Sequence, residues 1–198
     1  MPKVLGSYEC ELHVSFRYVL DRSYSKILNI GAAEGYYAVG LAKNIPAATV
    51  YAYEQDERRR SICRKNATIN DVSDRVHTRG VCDSSELQSV ELDSDSFVLC
   101  DIEGAERHLL DPEKVTGLQS ADILLELHDN DRGATDTLGE EIYKRFNATH
   151  QVIPITKRPR YPDEYTEIQA LEWDERPVAL SEHRFLRNGW IFLKRRDD

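Results

Sequence analysis

The sequence predicts an α/β fold: one doubly wound, mostly parallel seven-stranded sheet with an antiparallel C-terminal hairpin. Three observations carry this reading. Short apolar or β-branched runs alternate with helix-like segments from about residue 26 to about residue 156, the pattern of strands joined by crossover helices. The first run, ILNI, ends in a glycine loop, GAAEG, that opens a helical segment. The last two strand-like runs have no helical pattern between them, so they pair more naturally as antiparallel neighbours at one edge.

Residues 8–23 read as a helix leading into the first strand, SKILNI. GYYAVGLAKNI follows as a helix that breaks near Pro46, since proline lacks the amide donor a helix needs. TVYAYE, β-branched and aromatic, is the second strand, and DERRRSICRKNATIND is a charged amphipathic helix. RVHTRGV is the third strand, with SSELQSV a short helix after it. FVLCDI is the fourth strand and ADILLELH the fifth, with a weak helix over 106–118 between them. TLGEEIYKRFNATH is helical, HQVIPITK is the sixth strand, and GWIFLKR closes as the seventh after a polar Pro- and Arg-rich stretch to about residue 187.

Composition excludes several classes. With 40% hydrophobic and 31% charged residues the chain reads as globular. Its apolar runs fall short of the ~20 residues a membrane span needs, and MPKVLGSYECELH has no signal-peptide apolar region. The net charge of −9 argues against nucleic acid as a partner. Cys10, Cys63, Cys82 and Cys100 form no C-x-x-C pair, which argues against structural zinc and for a reduced, cytoplasmic setting.

In an open α/β sheet, ligands bind at the carboxyl ends of the strands where the strand order reverses. Gly31 and Gly35 flank such a turn, Ala32 and Ala33 leave room, and the next helix aims free N–H groups at the ligand. A partner acid belongs about 20 residues on. Glu54 lies 23 residues after Gly31, where a carboxylate can accept both hydroxyls of a ribose. Loop plus acid points to an adenosine-containing cofactor and leaves NAD and S-adenosylmethionine both open. The loop lacks G-x-G-x-x-G spacing, and Glu34 would face a pyrophosphate; the cationic sulfonium and amine of S-adenosylmethionine suit it better.

N-I-G-A-A-E-G-Y-Y, Y-E-Q-D, C-D-I-E-G-A-E and L-L-E-L-H-D together resemble class I S-adenosylmethionine-dependent methyltransferases, and more narrowly the FkbM-type enzymes, over residues 26–129. The resemblance implies a Rossmann-like sheet and methyl transfer, usually to a hydroxyl oxygen of a small molecule or sugar. It implies that Gly31, Ala33 and Gly35 line the methionine half, that Glu54 binds the ribose, that Cys82 and Asp83 flank the adenine, and that Asp101 lies near the methionine amine or the reaction centre. Asn29 stands where the family usually has an acid; its amide can still bind the cofactor amine, with Glu34 supplying charge nearby. The chain then divides into an N-terminal helical segment (1–25), a cofactor-binding core (26–156), a long loop or lid (157–188), and the last strand and tail (189–198).

Adjacent parallel strand ends lie about 5 Å apart, which brings Asp101 near Glu126 and His128. Glu126 and His128 share a face. Two chemistries fit: His128 as general base, with Asp101 and Glu126 beside it, or Asp101, Glu126 and His128 as ligands of a divalent metal such as magnesium. Glu103 and Glu106 also fit a helix N-terminus, and capping is the preferred reading of Glu106. Tyr8, Glu11 and His13 read as a solvated helix face, although they could fold over the cofactor. Arg158, Arg160, Tyr161 and Arg176 belong to the long loop and could grip an anionic group. The function expected is methylation of a small-molecule acceptor. The alternatives are a non-catalytic binding or regulatory protein of the same fold, a protein or RNA methyltransferase, and, more distantly, a dehydrogenase.

Overall fold

The computed structural model describes residues 1–128, 137–182 and 189–196. Its helices are α1 (Pro2–Leu5), α2 (His13–Leu20), α3 (Tyr36–Asn44), α4 (Glu57–Ile69), α5 (Ser84–Ser89), α6 (Glu106–Leu109), α7 (Leu138–Phe146) and α8 (Glu175–Leu180). The strands are β1 (Lys26–Ile30), β2 (Thr49–Tyr53), β3 (Val76–Arg79), β4 (Ser96–Cys100), β5 (Asp122–Leu127), β6 (His150–Ile155) and β7 (Gly189–Arg195). They form one seven-stranded sheet in the order β3-β2-β1-β4-β5-β7-β6. The first five are parallel, and β7 runs antiparallel to both β5 and β6. The terminal hairpin therefore has β6 on the outer edge and β7 inside the sheet.

The central strands are apolar at nearly every position because helices cover both faces. Ile27, Phe97, Leu99 and Leu124 pack with α2, α3 and α4 on one side. Leu28, Val98, Cys100 and Leu125 pack with α5, α6 and α7 on the other. Each such fully buried aliphatic or aromatic side chain contributes about 1.5–3 kcal/mol. The helix expected over 106–118 is two pieces, α6 and a 3₁₀ turn at Thr116–Gln119, with Pro112 between them.

The long connection after β6 is ordered over its described part. It carries 3₁₀ turns at Pro162–Glu164 and Thr166–Ile168, then α8. Ile168, Ala179 and Leu180 form a small core of their own against Leu5, Tyr165 and Leu171. The N-terminal segment thus packs on this cover.

Candidate active site

The register sets one row of residues just past the paired ends of the strands. Ile30 pairs with Tyr53 and Cys100, and Cys100 pairs with Leu125. The next residues are Gly31, Glu54, Asp101 and Glu126, side by side across β1, β2, β4 and β5. Glu126 in turn pairs with Trp190 of β7.

At β1, Gly31 is forced by its surroundings. Its φ is +84°, and a Cβ there would sit 1.7 Å from the Asp101 carbonyl oxygen. Gly35 has φ +87°, and a Cβ would lie 2.5 Å from Cys63 Sγ on α4. Between them Ala33 holds φ 48° without glycine's freedom, a strained state of the kind that accumulates at binding sites. Glu54, 8% exposed, braces this loop: its carboxylate accepts the Ala33 and Asp56 amides, each at 2.9 Å.

These ends enclose a cavity of about 340 Å³ that reaches from Gly31, Ala33 and Glu54 across Tyr53 and Cys82 to Asp101, Ile102 and Glu103. Its charged lining is Glu54, Asp101 and Glu103 against one guanidinium, Arg59. A net negative cavity with apolar walls favours a cationic ligand and opposes a pyrophosphate. Burial, then the Glu86 and Asp83 carboxylates, push the Cys82 thiol up to about 12, so it serves as wall and not as nucleophile.

Of the residues expected at the cofactor, Gly31, Ala33, Glu54, Cys82 and Asp101 line this cavity, whereas Asn29, Glu34, Gly35 and Asp83 do not. Asn29 is 1% exposed within β1, with neither amide atom hydrogen-bonded. Glu34 turns outward to a salt bridge with Lys3. Gly35 packs on α4, and Asp83 caps α5 by accepting the Glu86 amide at 2.8 Å. The D-S-S-E pattern at 83–86 is a capping signal that the sequence did offer. Tyr53, Arg59 and Glu103 line the cavity without having been singled out for the cofactor, and Tyr8 lines it in keeping with the alternative reading of the N-terminal segment. Arg59 alone carried a local hint, lying in the first turn of the helix that follows Glu54.

The other half of the site centres on His128, 5% exposed at the end of β5. Its Nδ1 lies 2.8 Å from Glu106 Oε1. Its Nε2 lies 3.7 Å from Asp101 Oδ1, 3.4 Å from Glu103 Oε2 and 3.5 Å from Glu126 Oε2. Asp101, Glu126 and His128 offer ligand atoms all within 4.8 Å of one another. Burial by itself would lower the His128 pKa, but the Glu106 hydrogen bond and the Glu106, Glu126 and Asp101 charges raise it above its usual value. Burial likewise would raise Glu106, yet hydrogen bonds from His128 and the Ile102 amide hold it below its usual value.

Glu106 stands in the first turn of α6, as the capping reading has it, and its carboxylate bonds its own amide, but it also reaches beyond the helix. It is 0% exposed, α6 is a single turn of four residues, and the Ile102 amide it accepts at 3.1 Å lies ahead of that helix. Asp129 lies outside the described residues.

Of the three N-terminal residues read as a solvated face, His13 is exposed, whereas Tyr8 and Glu11 are half-buried. Tyr8 lines the cavity, Glu9 is buried and bonds the Tyr37 hydroxyl, and the Glu9 amide donates to Glu182 at 2.7 Å. Arg160 joins segment to cover: it donates to the Ser7 carbonyl at 2.8 Å and pairs with Glu11 at 3.3 Å and with Glu182. Arg158 pairs with Glu164, and Arg176 bonds Gln169 and the Leu171 carbonyl. These loop arginines hold the cover together; Tyr161 is exposed.

Among the described residues no helix is long and apolar enough to cross a membrane. No family model matches the chain. Over 62 residues it is 34% identical to a release factor glutamine methyltransferase of Flavobacterium psychrophilum, a match spanning 31% of this chain and 22% of that protein. An O-methyltransferase from Bacillus cereus, solved in complex with SAH, superposes with a TM-score of 0.57 at 16% identity, covering 91% of this chain and 78% of the other. A putative O-methyltransferase from Klebsiella pneumoniae superposes with a TM-score of 0.55 at 14% identity, covering 94% and 79%. At these identities the likeness is one of architecture, and the chain has the Rossmann-like fold of the S-adenosylmethionine-dependent methyltransferases.

Proposed function

We propose that this chain is an S-adenosylmethionine-dependent methyltransferase, FkbM-like, that methylates a hydroxyl oxygen of a small molecule or sugar. The observation that carries the reading is the acidic cavity at the ends of β1, β2 and β4, with Glu54 at one end and the His128 cluster beside the other. Glu54 would hold the ribose hydroxyls, Tyr53 and Cys82 the adenine, and Asp101 the methionine amine. When bound, S-adenosylmethionine supplies an electrophilic methyl group. The chain's own task is to orient the acceptor and take its proton. His128 is suited to this: with Nδ1 against Glu106, its neutral Nε2 accepts a proton from a hydroxyl, and its raised pKa makes it a stronger base. Residues 1–25 and 157–182 would form the acceptor-side cover, joined through Arg160.

Two narrower readings have an observation each. The 4.8 Å grouping of Asp101, Glu126 and His128 suits a divalent metal such as magnesium, which would lower the acceptor's pKa. The buried, unbonded amide of Asn29 favours a protein that binds the cofactor without transferring its methyl group. Four free cysteines agree with a cytoplasmic setting.

The test is transfer of a labelled methyl group from S-adenosylmethionine to a panel of hydroxylated small molecules and sugars, run beside protein and RNA acceptors, with and without chelator. Methylation of a hydroxyl compound supports the proposal. Labelling of protein or RNA alone moves the acceptor to a macromolecule, and no transfer alongside tight cofactor binding favours the non-catalytic reading.

A further inference from the structure

The turn D-I-E-G-A-E after β4 and His128 just past β5 bring together an imidazole and a carboxylate that does not line the cavity, that of Glu106. Glu103 has φ 60° and Gly104 φ 119°, so the chain doubles back after Asp101 and carries Glu106 under the turn. There it accepts the Ile102 amide and meets His128 Nδ1 at 2.8 Å, across 22 residues of sequence. Only glycine adopts φ 119° readily, so Gly104 is what allows this placement. A carboxylate with no exposed surface is expensive to bury, and capping a one-turn helix is small compensation.

We propose that Glu106 is a positioning residue that fixes the tautomer of His128, keeping the proton on Nδ1 and leaving Nε2 as the basic nitrogen. A neutral imidazole free in water favours the opposite tautomer, with its proton on Nε2. A carboxylate can only accept, so the 2.8 Å contact of Glu106 with Nδ1 favours a proton there over Nε2, whose carboxylate neighbours at 3.4 to 3.7 Å make no hydrogen bond to it. His128 Nε2 is buried with no hydrogen-bond partner, 3.4 Å from Glu103 and 3.7 Å from Asp101, and both of those residues line the cavity. His128 itself does not line the cavity; its Nε2 lies directly behind the two carboxylates that do. The geometry serves a metal on Nε2 equally well, because a ligating imidazole also needs its second nitrogen anchored. As a catalytic role, this rests on the methyltransferase reading; as a statement about His128, it stands alone.

The experiment is a long-range ¹⁵N–¹H correlation spectrum of the imidazoles of the full chain, at a pH where the rings are neutral, with His128 assigned by its absence in His128→Asn. The expected result is a proton on Nδ1 in the wild type and loss of that signature in Glu106→Gln, with S-adenosylmethionine affinity unchanged within about twofold. With an acceptor in hand, Glu106→Gln should lower kcat by ~10²-fold with little change in KM. A capping role would change stability alone and leave the tautomer where it was. A wild-type His128 protonated on Nε2 overturns the proposal even if Glu106→Gln fails to fold, and so does an unchanged tautomer in a folded Glu106→Gln. If the tautomer is as stated and S-adenosylmethionine does not bind, it is the methyltransferase reading that fails.

Discussion

The turn after β1 and the turn after β4 are built alike and do different work. Each leaves a buried parallel strand, each holds a non-glycine residue in the left-handed region (Ala33 at 48°, Glu103 at 60°), and each is braced by a glutamate that accepts a backbone amide. Glu54 accepts amides at both oxygens and faces the cavity; Glu106 is wholly buried, with an imidazole as partner. The first turn is a static cradle, whereas the second holds a group that can gain or lose a proton. Left-handed backbone alone does not mark the site, since Asp71 and Glu91 also have positive φ away from the cavity; what separates the two turns is the partner of the acid.

The largest effect should come from breaking the first turn. Gly31→Ala should cost more than about 4 kcal/mol in urea unfolding, because a Cβ would meet the Asp101 carbonyl at 1.7 Å. A cost below about 1 kcal/mol would mean that the two strand ends are not packed as described. The second turn should fail in chemistry instead. His128→Ala should lower turnover by ~10²–10⁴-fold while cofactor affinity holds, and equal turnover would end its role as base.

Glu54→Ala should weaken S-adenosylmethionine by ~1.5–3 kcal/mol through lost hydrogen bonds to a charged group, read by calorimetry. Unchanged affinity would remove the ribose assignment.

The two turns should also differ in their answer to pH. Glu106 is held below its usual 4.5, so its contribution is present above 4.5 and is lost as pH falls through the folded value. His128 is raised above 6.5, so its contribution is full below 6.5 and is lost as pH rises through the folded value. The stability difference between wild type and a Glu106→Gln, His128→Asn double variant should therefore peak between pH 4.5 and 6.5. A flat difference from pH 4 to 9 would deny the pair. The smallest effect should be at Arg64→Ala, whose exposed pair with Glu57 is worth no more than about 1 kcal/mol.

The strands and the glycine loop were legible because apolar alternation and glycine placement are local signals. Glu54 was legible because its spacing from Gly31 follows from one strand–helix–strand unit. Glu106 was legible only in part: its place in the first turn of a helix is a local signal, while its partner His128 lies at the end of the next strand. In the N-terminal segment His13 is exposed as expected, but the burial around Tyr8 and Glu11 was not legible, because it depends on Arg160 and Glu182, far along the chain. Asn29 was noticed as a departure from the family pattern, but only the packing of β1 shows its amide buried and unbonded below the cavity.

The central claim, that the cradle between Gly31 and Glu54 holds S-adenosylmethionine, is tested most directly by calorimetric titration with S-adenosylmethionine, S-adenosylhomocysteine and NAD in parallel. The account predicts binding of the two sulfur compounds and none of NAD. Binding of NAD, or of none of the three at millimolar concentration, would contradict it.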